Sequence, residues 1–142
     1  MTVQENKNTF LRFWEEVFNK RNFALMDQIF TNDYIYHGSG GQDIKGMENL
    51  RQFIGTYFKA FPDLHAEVED VFGEGNNLVS RAMCRGTHKG VLMGIPPTGK
   101  QIAIRVICVN RFSGSQISED WELVDLFGMM QQLGAIPIPK PS

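Results

Sequence analysis

Residues 78–88 read LVSRAMCRGTH and residues 101–112 read QIAIRVICVNRF. In both, side-chain character changes at every second position, which is the period of a β-strand. The even positions of the first run are Leu78, Ser80, Ala82, Cys84, Gly86 and His88, and the odd positions include Arg81 and Arg85. The second run has Ile102, Ile104, Val106, Cys108, Asn110 and Phe112 at even positions, with Arg105 and Arg111 at odd ones. Two arginines on each odd face assign those faces to water or to a partner subunit. The even faces then point inward. Ser80, Ala82 and Gly86 are small, so they leave space opposite a helix layer, and a pocket is one use of that space.

Working outward, the pattern predicts strands near 64–73, 78–88, 101–112 and 116–125. GEGNN (73–77) and SGSQ (113–116) read as hairpin turns, and KGVLMGIPPTGK (89–100) as a longer loop. The first half reads as helices. Phe10, Phe13, Trp14, Val17 and Phe18 form an apolar helical stripe. A short second helix follows Asn22, with Phe23, Met26, Ile29 and Phe30 on one side. TNDY reads as a turn into a short strand at 34–37, and GSGGQD as a flexible loop. The third helix spans about 46–61 and Pro62 stops it. A last short helix near 126–133 ends at Gly134, and the tail AIPIPKPS (135–142) is extended. Helices followed by antiparallel strands indicate an α+β domain with helices on one face of the sheet.

The 142 residues suit one domain, 1–142, able to build its own core. Lys+Arg is 14 and Asp+Glu is 16, a net charge of −2, which argues against nucleic acid and against an electrostatic membrane anchor. The two cysteines, Cys84 and Cys108, lie in apolar strand runs and read as buried reduced thiols. No disulfide framework follows, which fits a reducing, cytoplasmic setting. The beginning MTVQENKN has no apolar signal segment, and IAIRVICV is too short and too charged to span a bilayer.

In 116–125 the odd positions Ile117, Glu119, Trp121, Leu123 and Asp125 form the more apolar face, so Asp125 and Glu119 are expected to point inward. A β-bulge would reverse that parity beyond it. An inward Asp125 would have a raised pKa and would serve as a general base; its other reading is the N-cap of the helix starting at Leu126. His88, turned inward, either shuttles a proton or closes the strand as a structural histidine. His37 ends a strand before a glycine-rich loop, where functional residues gather, or is a solvated loop-edge side chain. Glu119 and Trp121 either line the pocket or, for Glu119, pair with an arginine. His65 reads as surface, and Asp70 has inward parity. The three histidines share no short spacing, so no metal site is expected. GIPPTGK lacks phosphate-loop spacing, and no Gly-x-Ser-x-Gly elbow occurs.

DYIYH (33–37), AFPDL (60–64), GTHKGVLMGIPPTGK (86–100) and EDWELVDLFGMMQQLG (119–134) resemble, in order, the motifs of the SnoaL-like polyketide cyclases, also called ester cyclases, of the nuclear transport factor 2-like superfamily. The resemblance spans nearly the whole chain. It implies a cone-shaped α+β barrel, a curved antiparallel sheet wrapped around the helices and enclosing a cavity. It implies an intramolecular aldol ring closure without metal or cofactor, with Asp125 at the motif position of the general acid/base, and His88 and His37 at motif histidines. The substrate would be a small apolar carbonyl or ester compound. Phe13, Trp14, Phe53, Tyr57 and Trp121 are candidates to line the cavity, favouring a planar apolar ligand. A non-catalytic small-molecule binding protein is the alternative. A homodimer or higher homo-oligomer through the arginine-bearing sheet face is a third expectation.

Overall fold

A computed structural model describes residues 2–137. Helix α1 (Val3–Arg12) opens on a capping box: the Glu5 amide donates to Thr2 Oγ1 at 3.1 Å, and the Thr2 amide to Glu5 Oε2 at 2.9 Å. The helix does not stop at Arg12 but continues as a π-helical segment, Phe13–Asn19. This wider winding, rare at such length, presents Phe13, Trp14 and Phe18 to the interior. A 3₁₀ turn (Phe23–Leu25) and the short α2 (Met26–Ile29) follow. Helix α3 (Met47–Ala60) buries Leu50, Ile54 and Ala60 and ends just before Pro62. Helix α4 is Leu126–Gln132.

Six strands, β1 (Phe30–His37), β2 (Asp43–Lys45), β3 (His65–Glu74), β4 (Asn77–Thr87), β5 (Gln101–Ser113) and β6 (Gln116–Val124), form one sheet of order β2-β1-β6-β5-β4-β3. The four expected strands are present within a residue or two of the expected ends. β1 begins four residues before the expected 34, and β2 lies at the end of the segment read as loop. The sheet is antiparallel except for β1 and β6, which pair in parallel. After the α3 crossover β3 runs in the direction of β2, and three successive antiparallel reversals through β4 and β5 then bring β6 into the direction of β1. Of the expected tail at 135–142, residues 138–142 lie outside the described residues.

The parity read for β4 and β5 holds throughout: Leu78, Ser80, Ala82, Cys84, Ile102, Ile104, Val106, Cys108, Asn110 and Phe112 are all buried. Gly86 lies against the end of α3, where an added Cβ would come 3.1 Å from Phe61 Cβ, so its lack of a side chain lets Phe61 seat on the strand. Gly90 is tighter still: a Cβ there would meet the Lys59 carbonyl oxygen at 2.3 Å. Its amide donates to the Ala60 carbonyl at 3.1 Å, pinning the 89–100 loop to α3.

The parity read for β6 is corrected. Arg111 faces Glu119, but the next residue of β5, Phe112, faces Ile117, so Ser118 is an extra residue on β6. Its hydroxyl donates to the Arg111 carbonyl at 3.2 Å within this bulge. Ile117 points inward before the bulge, and Asp120, Glu122 and Val124 point inward after it. Glu119, Trp121, Leu123 and Asp125 are turned away from the interior. A second bulge in β3, between Val68 and Asp70, does the same for Asp70, which is exposed and pairs with Arg81 at 2.6 Å.

Candidate active site

The helices and the concave face of the sheet enclose a cavity of about 140 Å³. One wall is aromatic. Phe13 meets Trp14 and Phe30 edge to face, each at 5.3 Å between ring centres, and Phe53 packs near Tyr36 at 5.2 Å and Tyr57 at 5.4 Å. Of the expected lining residues, Phe13, Trp14, Phe53 and Tyr57 are in place. The Gly-rich segment after β1 borders the cavity through Gly38, Ser39, Gly40 and Gln42. Ser39 fixes it to the sheet by accepting from the Val124 amide at 2.6 Å.

The polar groups of the cavity come from the bulge-shifted face of β6 and from the alternation of DYIYH. Tyr34 and Tyr36, two residues apart on β1, face Asp120 and Glu122, two residues apart on β6. Tyr34 donates to Asp120 Oδ2 at 2.5 Å, and Tyr36 to Glu122 Oε1 at 2.7 Å. Asn110, directly opposite Asp120 on β5, also donates to the Asp120 carboxylate. Burial dominates the titration of both acids. Desolvation pushes the Asp120 carboxyl up to about 7, against the lowering effect of the hydrogen bonds from Tyr34 and Asn110. Desolvation raises Glu122 as well, against the bond from Tyr36. Tyr34 and Tyr36 are both held well above the ordinary phenol range by burial and by their carboxylate partners. Cys84 and Cys108, free and buried as read, line the same cavity, and burial raises the Cys84 thiol to about 12, leaving it protonated and inert.

Asp120 and Glu122 were missed as inward groups because strand alternation was carried unbroken through Ser118. A signal was present in the paired tyrosines of DYIYH, whose hydroxyls need partners once buried.

The structure separates the residues expected to act together. Asp125 is exposed and N-caps α4, its Oδ1 accepting from the Gly128 amide at 2.9 Å. His88 is wholly buried but is not among the residues lining the cavity. Its Nδ1 accepts from the Thr98 amide at 3.2 Å, and its ring lies 5.4 Å from Phe61, so it ties the 89–100 loop to the body of the fold. His37 lies on the outer side of the sheet. Its Nε2 is 2.6 Å from Glu119 and its Nδ1 2.8 Å from Asp43, and its ring stacks on Trp121 at 5.2 Å. The two carboxylates raise the His37 pKa above its ordinary value. Arg111 completes this outer cluster, 3.5 Å from Glu119 and 4.9 Å from the Trp121 ring centre. Glu119 therefore takes its arginine-paired reading, and Trp121 stacks outside the cavity. His65 is exposed, as read.

Among the described residues no helix is long and apolar enough to cross a membrane. No curated protein matches the chain. Solved structures do. A Jannaschia sp. CCS1 protein named for the SnoaL-like polyketide cyclases is 26% identical with a TM-score of 0.88, the match covering 95% of each chain. IdmH of Streptomyces antibioticus, named as a polyketide cyclase, is 26% identical over 91% of this chain and 98% of its own, with a TM-score of 0.82. AclR of Streptomyces galilaeus, named as a hydroxylase, shares the fold at 23% identity and a TM-score of 0.87, over 98% of this chain and 87% of its own. The six-stranded α+β fold is thus the nuclear transport factor 2-like one. The model of one family, the SnoaL-like polyketide cyclases, matches residues 8–133, so the chain with its buried acid–tyrosine pairs belongs to that enzyme family and has a cyclase- or isomerase-type role.

Proposed function

We propose that the protein catalyses proton transfer at carbon in a small apolar carbonyl or ester compound, closing a ring by an intramolecular aldol step, with Asp120 as general base. The observation that carries this is the Asp120 carboxylate itself: buried, bordering an apolar cavity, and brought by desolvation to about 7, where a base is both available and strong enough to act near neutral pH.

The step balances with protein groups and solvent protons. A carbon beside a carbonyl gives its proton to Asp120, and its bonding pair becomes the enolate. The enolate carbon bonds to a second carbonyl carbon of the same molecule, whose π pair moves to oxygen. That oxygen takes the proton back from Asp120, which restores the base, or takes one from the raised Glu122 carboxyl, which regains a proton from solvent as Asp120 releases its own. The two acids stand two residues apart on one strand face, roughly 7 Å, so base and donor reach different atoms of one small ligand. The walls fold the chain of the substrate so that its two carbons meet. Asp125, His88 and His37, the residues implied at sequence level, act in this reading as helix cap, loop anchor and outer-sheet link.

A second reading, ligand binding without turnover, draws on the fact that Asp120 already accepts from Tyr34 and Asn110. Deuterium uptake at C2 of ethyl 2-methylacetoacetate, followed by NMR in buffered heavy water, separates the two. The enzyme reading expects uptake above the buffer rate that Asp120→Asn abolishes. Uptake equal to buffer, or unchanged in the variant, favours binding alone.

A further inference from the structure

We infer that residues 38–42 are the gate of the cavity and that His37 is its clamp: with both ring nitrogens protonated His37 ties the gate down, and loss of one ring proton frees the end that runs into β2. This holds whether the cavity turns its ligand over or only binds it.

Position is the first observation. Ser39, Gly40 and Gln42 border the cavity and are also exposed, so the segment stands at the mouth, between interior and solvent. It is the tip of the β1–β2 hairpin, closed by the pairing of His37 with Asp43 and by the Gly38 amide donating to the Gln42 carbonyl at 3.0 Å. Gly38 sits on the ring of Tyr36, where an added Cβ would come 3.0 Å from Cε1. Tyr36 in turn donates to Glu122, so the segment covers the end of the cavity that holds this acid.

Attachment is the second. Three of the five residues are glycine, and Gly41 has a φ of 79°, so little side-chain packing holds the segment. Among the described residues, two side chains tie it to β6. Ser39 Oγ accepts from the Val124 amide at 2.6 Å. His37 links the other end, its Nδ1 2.8 Å from Asp43 Oδ1 at the start of β2 and its Nε2 2.6 Å from Glu119 Oε2 on β6.

The chemistry of that link is the third. Both ring nitrogens face carboxylate oxygens, which when ionised only accept. An imidazolium supplies an N–H to each. A neutral imidazole has one N–H and turns a lone pair on the other carboxylate, so one link must give way. Glu119 is the better held: it is 26% exposed against 52% for Asp43, and Arg111 lies 3.5 Å from its Oε1. Asp43 is therefore the partner released. On the same outer face stand Arg111 of β5, paired with Glu119, and Lys45 of β2; Asp33 is the other charge on β1. The hydrogen bonds to Glu119 and Asp43 hold the His37 pKa above its ordinary value, so the clamp outlasts the pH at which a free histidine lets go.

Solvent-exchange NMR on the intact protein, read at the Gly38 and Gly41 amides from about pH 6 to about pH 9, tests the clamp. Exchange divided by the intrinsic rate at each pH should rise about two- to fivefold as His37 deprotonates, the worth of one exposed ion pair. In His37→Gln the profile should be flat. It should be flat in Asp43→Asn too, because an asparagine amide donates to the bare nitrogen and its carbonyl accepts from the protonated one. Asp120 titrates at about 7, and both variants leave it in place, so a rise that persists in both belongs to the cavity acid and overturns the inference. A flat wild-type profile overturns it as well, and Asp43→Asn decides where His37→Gln fails to fold. Entry is read at Cys84, a free thiol lining the cavity, from its labelling by methyl methanethiolsulfonate mapped by mass spectrometry. Labelling of a protonated thiol is slow, but comparing two proteins at one pH cancels the thiolate fraction. Wild type should label about two- to fivefold faster than Asp43→Asn near pH 9, and equally near pH 6. Equal rates at both pH values would mean that the segment loosens without opening the cavity, and the gate is overturned.

Discussion

Tyr34 donates to Asp120 at 2.5 Å across the one parallel pairing in the sheet, that of β1 with β6. The bond joins the DYIYH motif to the bulged strand and opposes the desolvation that raises the acid. Removing it in Tyr34→Phe should therefore raise the Asp120 pKa further. The acid limb of the pH–rate profile, centred near 7 in the wild type, should move to higher pH in the variant. An unmoved or lowered midpoint would show that Asp120 does not govern the limb.

Asp120→Asn should lower turnover by roughly 10²–10⁴-fold, the range for loss of a positioned general base. Asp125→Asn should leave turnover within about twofold, because an asparagine caps a helix as well as an aspartate does. Asp125→Ala removes the acceptor for the Gly128 amide and should cost about 1 kcal/mol of stability, read from denaturant midpoints. If Asp125→Asn proves the inactive variant and Asp120→Asn the active one, the bulge does not set the chemistry.

The contrast between these two aspartates marks where the sequence was legible. Alternation in 78–88 and 101–112 gave both faces of β4 and β5 correctly, because nothing interrupts their mutual register from Asn77 to Thr87. The same rule failed on β6 because Ser118, an ordinary polar residue, is the inserted one, and nothing in its type announces a bulge. A single extra residue exchanged Asp120 and Glu122 for Glu119, Trp121 and Asp125 on the inner face. The helical wall was legible at Phe13, Trp14, Phe53 and Tyr57 because a broad apolar stripe survives even the change from α to π winding. The short strand β2 was not, since its three residues follow a glycine-rich run and carry no alternation of their own. His88 was read as inward, and it is. Its place outside the cavity is set by the path of the 89–100 loop, which no local pattern encodes.

His37 gains two carboxylate partners on folding, and its pKa is raised. A histidine whose folded pKa exceeds the unfolded value stabilises fully below that unfolded value. The contribution disappears as pH rises through the folded one. Thermal melting of wild type and His37→Gln should differ most near pH 5 and converge at alkaline pH. The difference should stay below about 1 kcal/mol, since the cluster is solvent-facing. A gap that widens with pH would contradict the hydrogen bonds to Glu119 and Asp43 as its source.

Asp120 shifts stability with pH in the same direction, through a buried acid and over a more acid range. Its folded carboxyl titrates at about 7, above the unfolded value near 3.8. Between those pH values the native state holds a proton that the unfolded chain has released. Unfolding free energy therefore falls as pH rises from about 4 to about 7, and the penalty is fully present above the folded pKa. The neutral Asp120→Asn side chain has no such proton to lose. Stability measured by urea unfolding should then decline with pH more steeply in the wild type than in Asp120→Asn, the two curves diverging between about pH 4 and 7 and running parallel beyond. Subtracting the variant removes the other titrating groups, including Glu122, whose raised pKa acts with the same sign, and Asp63, whose lowered pKa acts with the other. Parallel curves across the whole range would mean that the Asp120 carboxyl is not desolvated in the folded protein, and the cavity would lose the base assigned to it.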